Sequence, residues 1–332
     1  MAPPVQRRRD VLRLATGVAM AAAMPSAAGA RSTLPDQTIR LVGGFASGSA
    51  TDLMLKIIAP KLESRIGRRV SVENKAGETG AHAGEALKRA SNDGTTIGFL
   101  PSLSLAGRLL VKNYLFEPEK DVVPLTIAGT VQTAIAVSRK IEVRSLAEYA
   151  AWLKAGGPER ARMGATAADA FLEAFGRLLS RELGARLEFV PYRNMLAVVS
   201  DLQDDRLPAA AGVAASFVER HRGGRLRLIA SSGAKRLMSL RDLPTAAEQG
   251  FPNLEMDEWF AFFATAGMAP ALLEEWNRHL VATLSDPAVA AELVQQGVDV
   301  EPSSQPDAVA RVASYLDKWR ERFKMLGMTT AN

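Results

Sequence analysis

The chain of 332 residues contains no cysteine. That absence excludes a disulfide framework, a thiol nucleophile and any thiolate metal site. A chain of this length can bury a sufficient core without disulfides, even outside the cytoplasm. Histidine is nearly as scarce: His82, His221 and His279 are scattered, and none stands at a metal-ligand spacing from a second candidate. His82 reads as a solvated residue on a helix. No run beyond residue 30 is long and apolar enough to span a bilayer. A large surplus of positive charge is missing too. The formal charge is +5, but residues 1–30 carry four Arg and one Asp, and without them it is 5 − 3 = +2. That balance gives nucleic-acid binding little support. No Gly-x-Ser-x-Gly elbow occurs; "ASGSA" comes nearest, with Ser47 before Gly48 but no leading glycine. Asp204-Asp205 and the Arg-rich "ERHRGGRLRL" read as solvated helix ends rather than as an acid pair or a phosphate site. No catalytic residue, metal or cofactor is expected.

What is present begins with an export signal. Residues 1–30 have a basic start, an alanine-rich apolar middle and a small-x-small finish at Ala28-Gly29-Ala30, the pattern of a secretory signal peptide. Arg8-Arg9-Asp10-Val11-Leu12-Arg13 resembles the twin-arginine signal, with Val11 where that pattern prefers Phe. Both the twin-arginine and the general secretory route remain open. The mature chain is expected to start near Arg31 and to work outside the cytoplasm. Bulky substitutions at Ala28 and Ala30 are expected to block processing, because signal peptidase accepts only small side chains there. N-terminal sequencing of exported protein checks this: a chain still beginning at Met1 contradicts it.

Beyond this segment, strand and helix patterns alternate. "TIRLV" reads as a buried strand, and the next segment places Leu53, Ile57, Ile58, Leu62 and Ile66 on one helical face, ending at Gly67. "RRVSVEN" is a second strand and "AHAGEALKRA" a second helix, closed by the turn Asn92-Asp93-Gly94; "TTIGFLPS" is a third strand. The βαβαβ order implies a parallel, doubly wound sheet, in which ligands bind beyond the carboxyl ends of the strands. A later stretch repeats the plan. Gly48 to Gly67 spans 19 residues and Gly164 to Gly184 spans 20, each enclosing a helix with Asp52 or Asp169 at its start and each followed by a strand. The repetition suggests two similar lobes, each presenting a small-residue loop and a helix N-terminus.

The first of these loops, "GGFASGSATD", is not a nucleotide site. Gly43 and Gly48 have the P-loop interval, but Ser49 stands where Lys belongs, and Phe45 fills the second glycine of the dinucleotide fingerprint. Two readings stay open. Backbone N–H groups at a helix N-terminus, with the hydroxyls of Ser47, Ser49 and Thr51, suit a small anion, especially a carboxylate. Alternatively, the segment is only a tight turn capped by Thr51 or Asp52. Asp52 reads as a cap in both.

"GGFASGSATD", "VENKAGETG", "NDGTTI", "KDVVPLT", "VPYRN", "RDLPTAAEQGFP" and Trp259 follow one another in this order. Together they resemble the Bug-type extracytoplasmic solute receptors of tripartite tricarboxylate transport systems, over nearly the whole mature chain. The resemblance implies an α/β, two-lobed periplasmic-binding-protein fold, a type II-like Venus flytrap with a doubly wound sheet in each lobe. Lobe 1 would comprise 31–130 plus 253–332 and lobe 2 131–252, with crossing strands near Thr130 and near Phe260. It also implies a small carboxylate ligand, delivery to membrane transporter subunits, and a monomer with no cofactor, metal or nucleic acid. By position, the first ligand loop falls on Phe45, Ala46, Ser47, Gly48, Ser49, Ala50 and Thr51, and a second on Ser102, Leu103 and Ser104. The lobe 2 loop falls on Ala165, Thr166, Ala167, Ala168 and Asp169, supported by Tyr192 and Arg193. A ligand sensor for a membrane signalling partner remains open as an alternative, and so does an enzyme on the same scaffold.

Three departures from the family pattern stand out. Where members carry Gly-x-Gly-Ser-x-x-His, this chain reads Ala167-Ala168-Asp169-Ala170-Phe171-Leu172-Glu173. Asp169 reads first as a helix N-cap; if it and Glu173 reached the cleft, they would favour a monocarboxylate, or an amino- or hydroxy-carboxylate, over a plain dicarboxylate. Asn194 replaces the glycine after Tyr-Arg and is expected to tolerate a left-handed backbone. Asp205 stands where a glycine often ends a helix.

Overall fold

The computed structural model describes residues 34–325, with 46, 48, 78, 79, 110 and 167–169, and the side chains of 50 and 170–174, outside the description. The signal segment, Asp169 and the Glu173 side chain therefore lie outside the described residues. The chain opens with β1 (Ile39–Gly43), α1 (Ala50–Ile66), β2 (Val70–Asn74), α2 (Ala81–Lys88) and β3 (Thr96–Pro101). Short helices α3 (Leu103–Ala106) and α4 (Pro118–Asp121) lead into the 17-residue strand β4 (Val122–Ser138). Next come α5 (Leu146–Lys154), β5 (Arg162–Thr166), α6 (Ala170–Leu183), β6 (Glu188–Tyr192), α7 (Met195–Gln203) and β7 (Ala209–Val213). The chain then forms α8 (Ala215–Arg222), β8 (Leu226–Ser231), β9 (Asp257–Thr265), α9 (Pro270–Leu284) and α10 (Pro287–Gln295). It finishes with β10 (Asp299–Val300) and α11 (Gln305–Met325).

Two sheets share β4. In the first, β1 lies between β2 and β3, parallel to both, and β9 joins β3 to β4 antiparallel. In the second, β5 lies between β6 and β7, parallel to both, and β7 and β8 flank the far half of β4. The repeat legible in the sequence is thus a repeat of topology: β2-β1-β3 in one sheet, β6-β5-β7 in the other. Both βα units end alike, with Gly67 at φ 65° and Gly184 at φ 58° taking the left-handed conformation that stops the helix. Pairing changes along β4 from β9 to β7 and β8 between Gln132 and Thr133.

Each sheet is covered on both faces, as parallel strands require. One face of the first sheet lies under α1, α9 and α10, with Ile58, Leu62, Trp276 and Leu280 fully buried. One face of the second lies under α7 and α8, around Val198, Leu202 and Phe217. The remaining faces share one continuous core, running from Leu100 and Phe263 through Trp259 and Met256 to Ile135 and Leu178, with Tyr315 and Trp319 of α11 packed into it.

Three local expectations need correction. The buried stripe of α1 is Met54, Leu55, Ile58, Ala59, Leu62 and Ile66, and Leu53 is 40% exposed; a wide stripe on a 3.6-residue period can be read one position off. The cap of α1 is Ser49, whose side chain accepts from Asp52 N, rather than Thr51 or Asp52. Asn194 is extended (φ −157°) and caps α7 by accepting from Ala197 N, so no left-handed residue is needed there. Asp205 does take the glycine-like conformation, at φ 59°, alone among the described non-glycine residues. Its carboxylate accepts from Ser138 Oγ and pairs with Lys140. Glycine adopts that backbone without strain and alanine does not, so Asp205→Gly is expected to melt roughly 2–4 °C above Asp205→Ala in thermal denaturation.

Candidate ligand-binding site

The loop after β1 is built around a buried carboxylate. Asp52, 1% exposed, accepts from Lys56 Nζ at 2.7 Å, Asn74 Nδ2 at 2.7 Å and Ser47 Oγ at 3.2 Å. These contacts tie the loop to the first turn of α1 and to the end of β2. Gly43 has no room for a side chain: a Cβ there would meet Leu55 at 2.9 Å and Asn74 at 3.0 Å. Phe45 is half-buried, Ser47 exposed, Ser49 half-buried and Thr51 buried, whereas Ala46, Gly48 and the Ala50 side chain lie outside the described residues.

The loop after β3 is tied to β9. Ser102 N donates to Trp259 O at 2.7 Å, and Ser102 Oγ and Leu103 N both donate to Glu258 Oε1. Leu103 is half-buried, and Ser104 is fully buried with a hydroxyl that has no hydrogen-bond partner among the described residues. A segment not foreseen as part of the site joins these loops. Gly80, at φ 90°, opens α2, and a Cβ there would sit 2.2 Å from Ser104 Oγ and 3.5 Å from Gly44 O. Its signal was the glycine pair in "AGETG", since Gly77 also has positive φ.

In the second sheet, Thr166 at the end of β5 lies in register with Tyr192 at the end of β6. Ala165 is buried and Thr166 half-buried; Ala167, Ala168 and Asp169 lie outside the described residues. Tyr192 OH donates to Asp201 Oδ2 at 2.7 Å. Burial and that carboxylate raise the Tyr192 pKa, while the phenol and Arg206 lower that of Asp201. Tyr192 is thus engaged within its own lobe, and Arg193 is exposed. The strand ends of the two sheets meet along β4: Trp259, bonded to Ser102, pairs with Thr130, and Val213 at the end of β7 pairs with Thr133. Those pairings lie three residues apart along β4, about 10 Å. Among the described residues no group of three or more His, Cys, Asp or Glu is placed to hold a metal ion.

A family model described as "Tripartite tricarboxylate transporter family receptor" matches residues 54–328. The chain belongs to that receptor family. The receptor is 27% identical to Protein BugT of Bordetella pertussis over 307 residues, covering 91% of this chain and 93% of the relative. Its fold matches R. palustris Rpa4515 with adipate at a TM-score of 0.73 and 24% identity, covering 89% of this chain and 99% of that one. It matches MatC from Rhodopseudomonas palustris with bound malate at a TM-score of 0.68 and 21% identity, covering 87% and 99%. The receptor therefore has the two-lobed fold of periplasmic binding proteins, with a doubly wound sheet in each lobe. None of the loop residues above lines the cavity of about 420 Å³ that lies beside β4, β9 and α11.

Proposed function

We propose that the receptor captures a small carboxylate between its lobes in the periplasm and delivers it to membrane subunits of a tripartite tricarboxylate-type transporter. The observation that carries this reading is the paired topology: two βαβαβ units bring the carboxyl ends of their strands to either side of Thr130–Thr133. In this reading lobe 1 is 31–130 plus 253–332 and lobe 2 is 131–252. Phe45–Thr51 and Ser102–Ser104 contact the ligand from one side, with Ala165–Asp169, Tyr192 and Arg193 on the other. Backbone N–H groups at the start of α1, hydroxyls and the helix dipole suit an oxyanion. The ligands named for two fold neighbours, adipate and malate, are both dicarboxylates, and two helix-bearing loops can each hold one end of such a molecule. No helix among the described residues is long and apolar enough to cross a membrane. A soluble capture protein that is not an enzyme fits that chemistry.

A thermal-shift screen of four- to six-carbon dicarboxylates, followed by small-angle scattering, tests the proposal. A ligand at about 100 times its Kd is expected to stabilise the protein by about 2.7 kcal/mol. The radius of gyration should fall as the lobes close about their hinge. No stabilisation by any carboxylate at millimolar concentration would count against capture, and an unchanged profile at saturation against closure.

A further inference from the structure

The cavity beside β4 is lined by charged side chains of both signs. Thr130 and Gln132 on β4 and Asp257 and Trp259 on β9 line it, together with α11, β10 and the segment after β8. Most of its charges are already matched. Arg311 pairs with Glu301 at 3.0 Å, Lys318 with Glu255 at 3.0 Å, and Arg236 with Glu248 at 2.9 Å. Arg322 donates to the Glu255 carbonyl. Asp257 and Asp299 have no ion-pair partner among the described residues; of the lining cations Lys235, which is exposed, and Arg322, held by a carbonyl, are likewise without a carboxylate partner there.

Two buried oxygens there accept nothing from the described residues. Gln132 is 5% exposed; its Nε2 donates to Lys235 O at 3.0 Å and to Asp299 Oδ2 at 3.4 Å, and its Oε1 has no partner among the described residues. Two acceptors around Nε2 fix which way the amide faces, since a flipped amide would set oxygen against oxygen. Asp257 Oδ2 accepts from Ala234 N at 3.5 Å, and its Oδ1 is buried without a partner among the described residues. Buried acceptors without donors are costly and rare. A carboxylate ligand would be repelled by both aspartates, and water supplies donors but no charge.

We propose that this cavity is a second binding site, taking the ammonium group of a small organic amine on Asp257 Oδ1, Gln132 Oε1 and Asp299. It stands on different residues from the carboxylate loops and does not rest on their function. The groups facing Asp257 are the Ala234 N–H, Arg311, Glu255 and Glu301, with Arg322 of α11 also within its field; burial outweighs them and lifts its pKa to about 6, with that of Asp299 raised as well. An ammonium is therefore best held above that pH.

The test uses the mature receptor with 1,4-diaminobutane as probe and 1,4-butanediol as the uncharged control, read by thermal shift and calorimetry. At about pH 8 the diamine is expected to bind and raise the melting temperature, and the diol to do neither. Affinity should fall at least about tenfold at pH 5, and by a similar factor in Asp257→Asn at pH 8. Asp299→Asn serves as a second variant should the first fail to fold. No binding of the diamine up to about 10 mM, equal binding by wild type and variants, or equal binding of the diol would each overturn the site. Gly80→Ala, which disturbs only the carboxylate loops, should leave diamine binding unchanged; its loss there would place the amine at those loops and overturn the proposal too.

Discussion

Gly80→Ala is expected to weaken carboxylate binding on the order of a hundredfold while leaving the fold intact. Two effects act together. At φ 90° an alanine is strained by about 1–3 kcal/mol. Its Cβ would also lie 2.2 Å from Ser104 Oγ, inside contact distance, so either the Ser104 turn or the Gly44 loop must retreat. In the proposed site both carry ligand contacts. Losing two charge-assisted hydrogen bonds at about 1.5 kcal/mol each corresponds to about a hundredfold in Kd. Calorimetry with the best dicarboxylate, on Gly80→Ala and on Gly80→Ala/Ser104→Gly, separates the causes. The double variant removes the clash but keeps the backbone strain, so it should recover part of the affinity. Wild-type affinity in the single variant would show that the Gly80 contact does not shape the site.

Asp257→Asn is expected to stabilise the ligand-free protein at alkaline pH. Burial raises the Asp257 pKa from 3.8 to about 6. Below about pH 4 the carboxyl is protonated in folded and unfolded chains alike and costs nothing. As the pH rises through 6, the unfolded chain has ionised freely while the folded one must ionise a desolvated group, and stability is lost. At about 1.36 kcal/mol per pH unit, the full penalty above pH 7 is on the order of 3 kcal/mol. Asparagine keeps an oxygen for Ala234 N and cannot ionise. Chemical denaturation at pH 8 should therefore find the variant more stable by about 1–3 kcal/mol, with the difference shrinking towards pH 4. A variant less stable than wild type at pH 8 would mean that Asp257 is held as a favourable ion after all.

The sequence carried local information well wherever one period dominates a segment. The strands β1 to β3, the stops at Gly67 and Gly184 and the solvated His82 were all legible, because hydrophobic period and turn chemistry act over a few residues. Finer choices failed where several residues could satisfy the same donor. Ser49, Thr51 and Asp52 can each cap a helix; what selects Ser49 is that Lys56 and Asn74 draw the Asp52 carboxylate inward. Asn194 likewise offered two uses, a left-handed backbone or a cap, and its extended backbone selects the cap.

By itself, then, the sequence determined the order of strands and helices, the internal repeat and a small-residue loop suited to an anion. These follow from side-chain periodicity and from backbone freedom at glycine, both properties of neighbouring residues. Only the tertiary structure decided that β4 runs through both sheets, that Gly80 wedges between Gly44 and Ser104, and that Asp257 and Gln132 share a cavity with α11. Asp257 and Gln132 are 125 residues apart in the chain and meet across one β-pairing. Such meetings depend on which strands pair and in what register, and that is settled by burying both faces of both sheets at once.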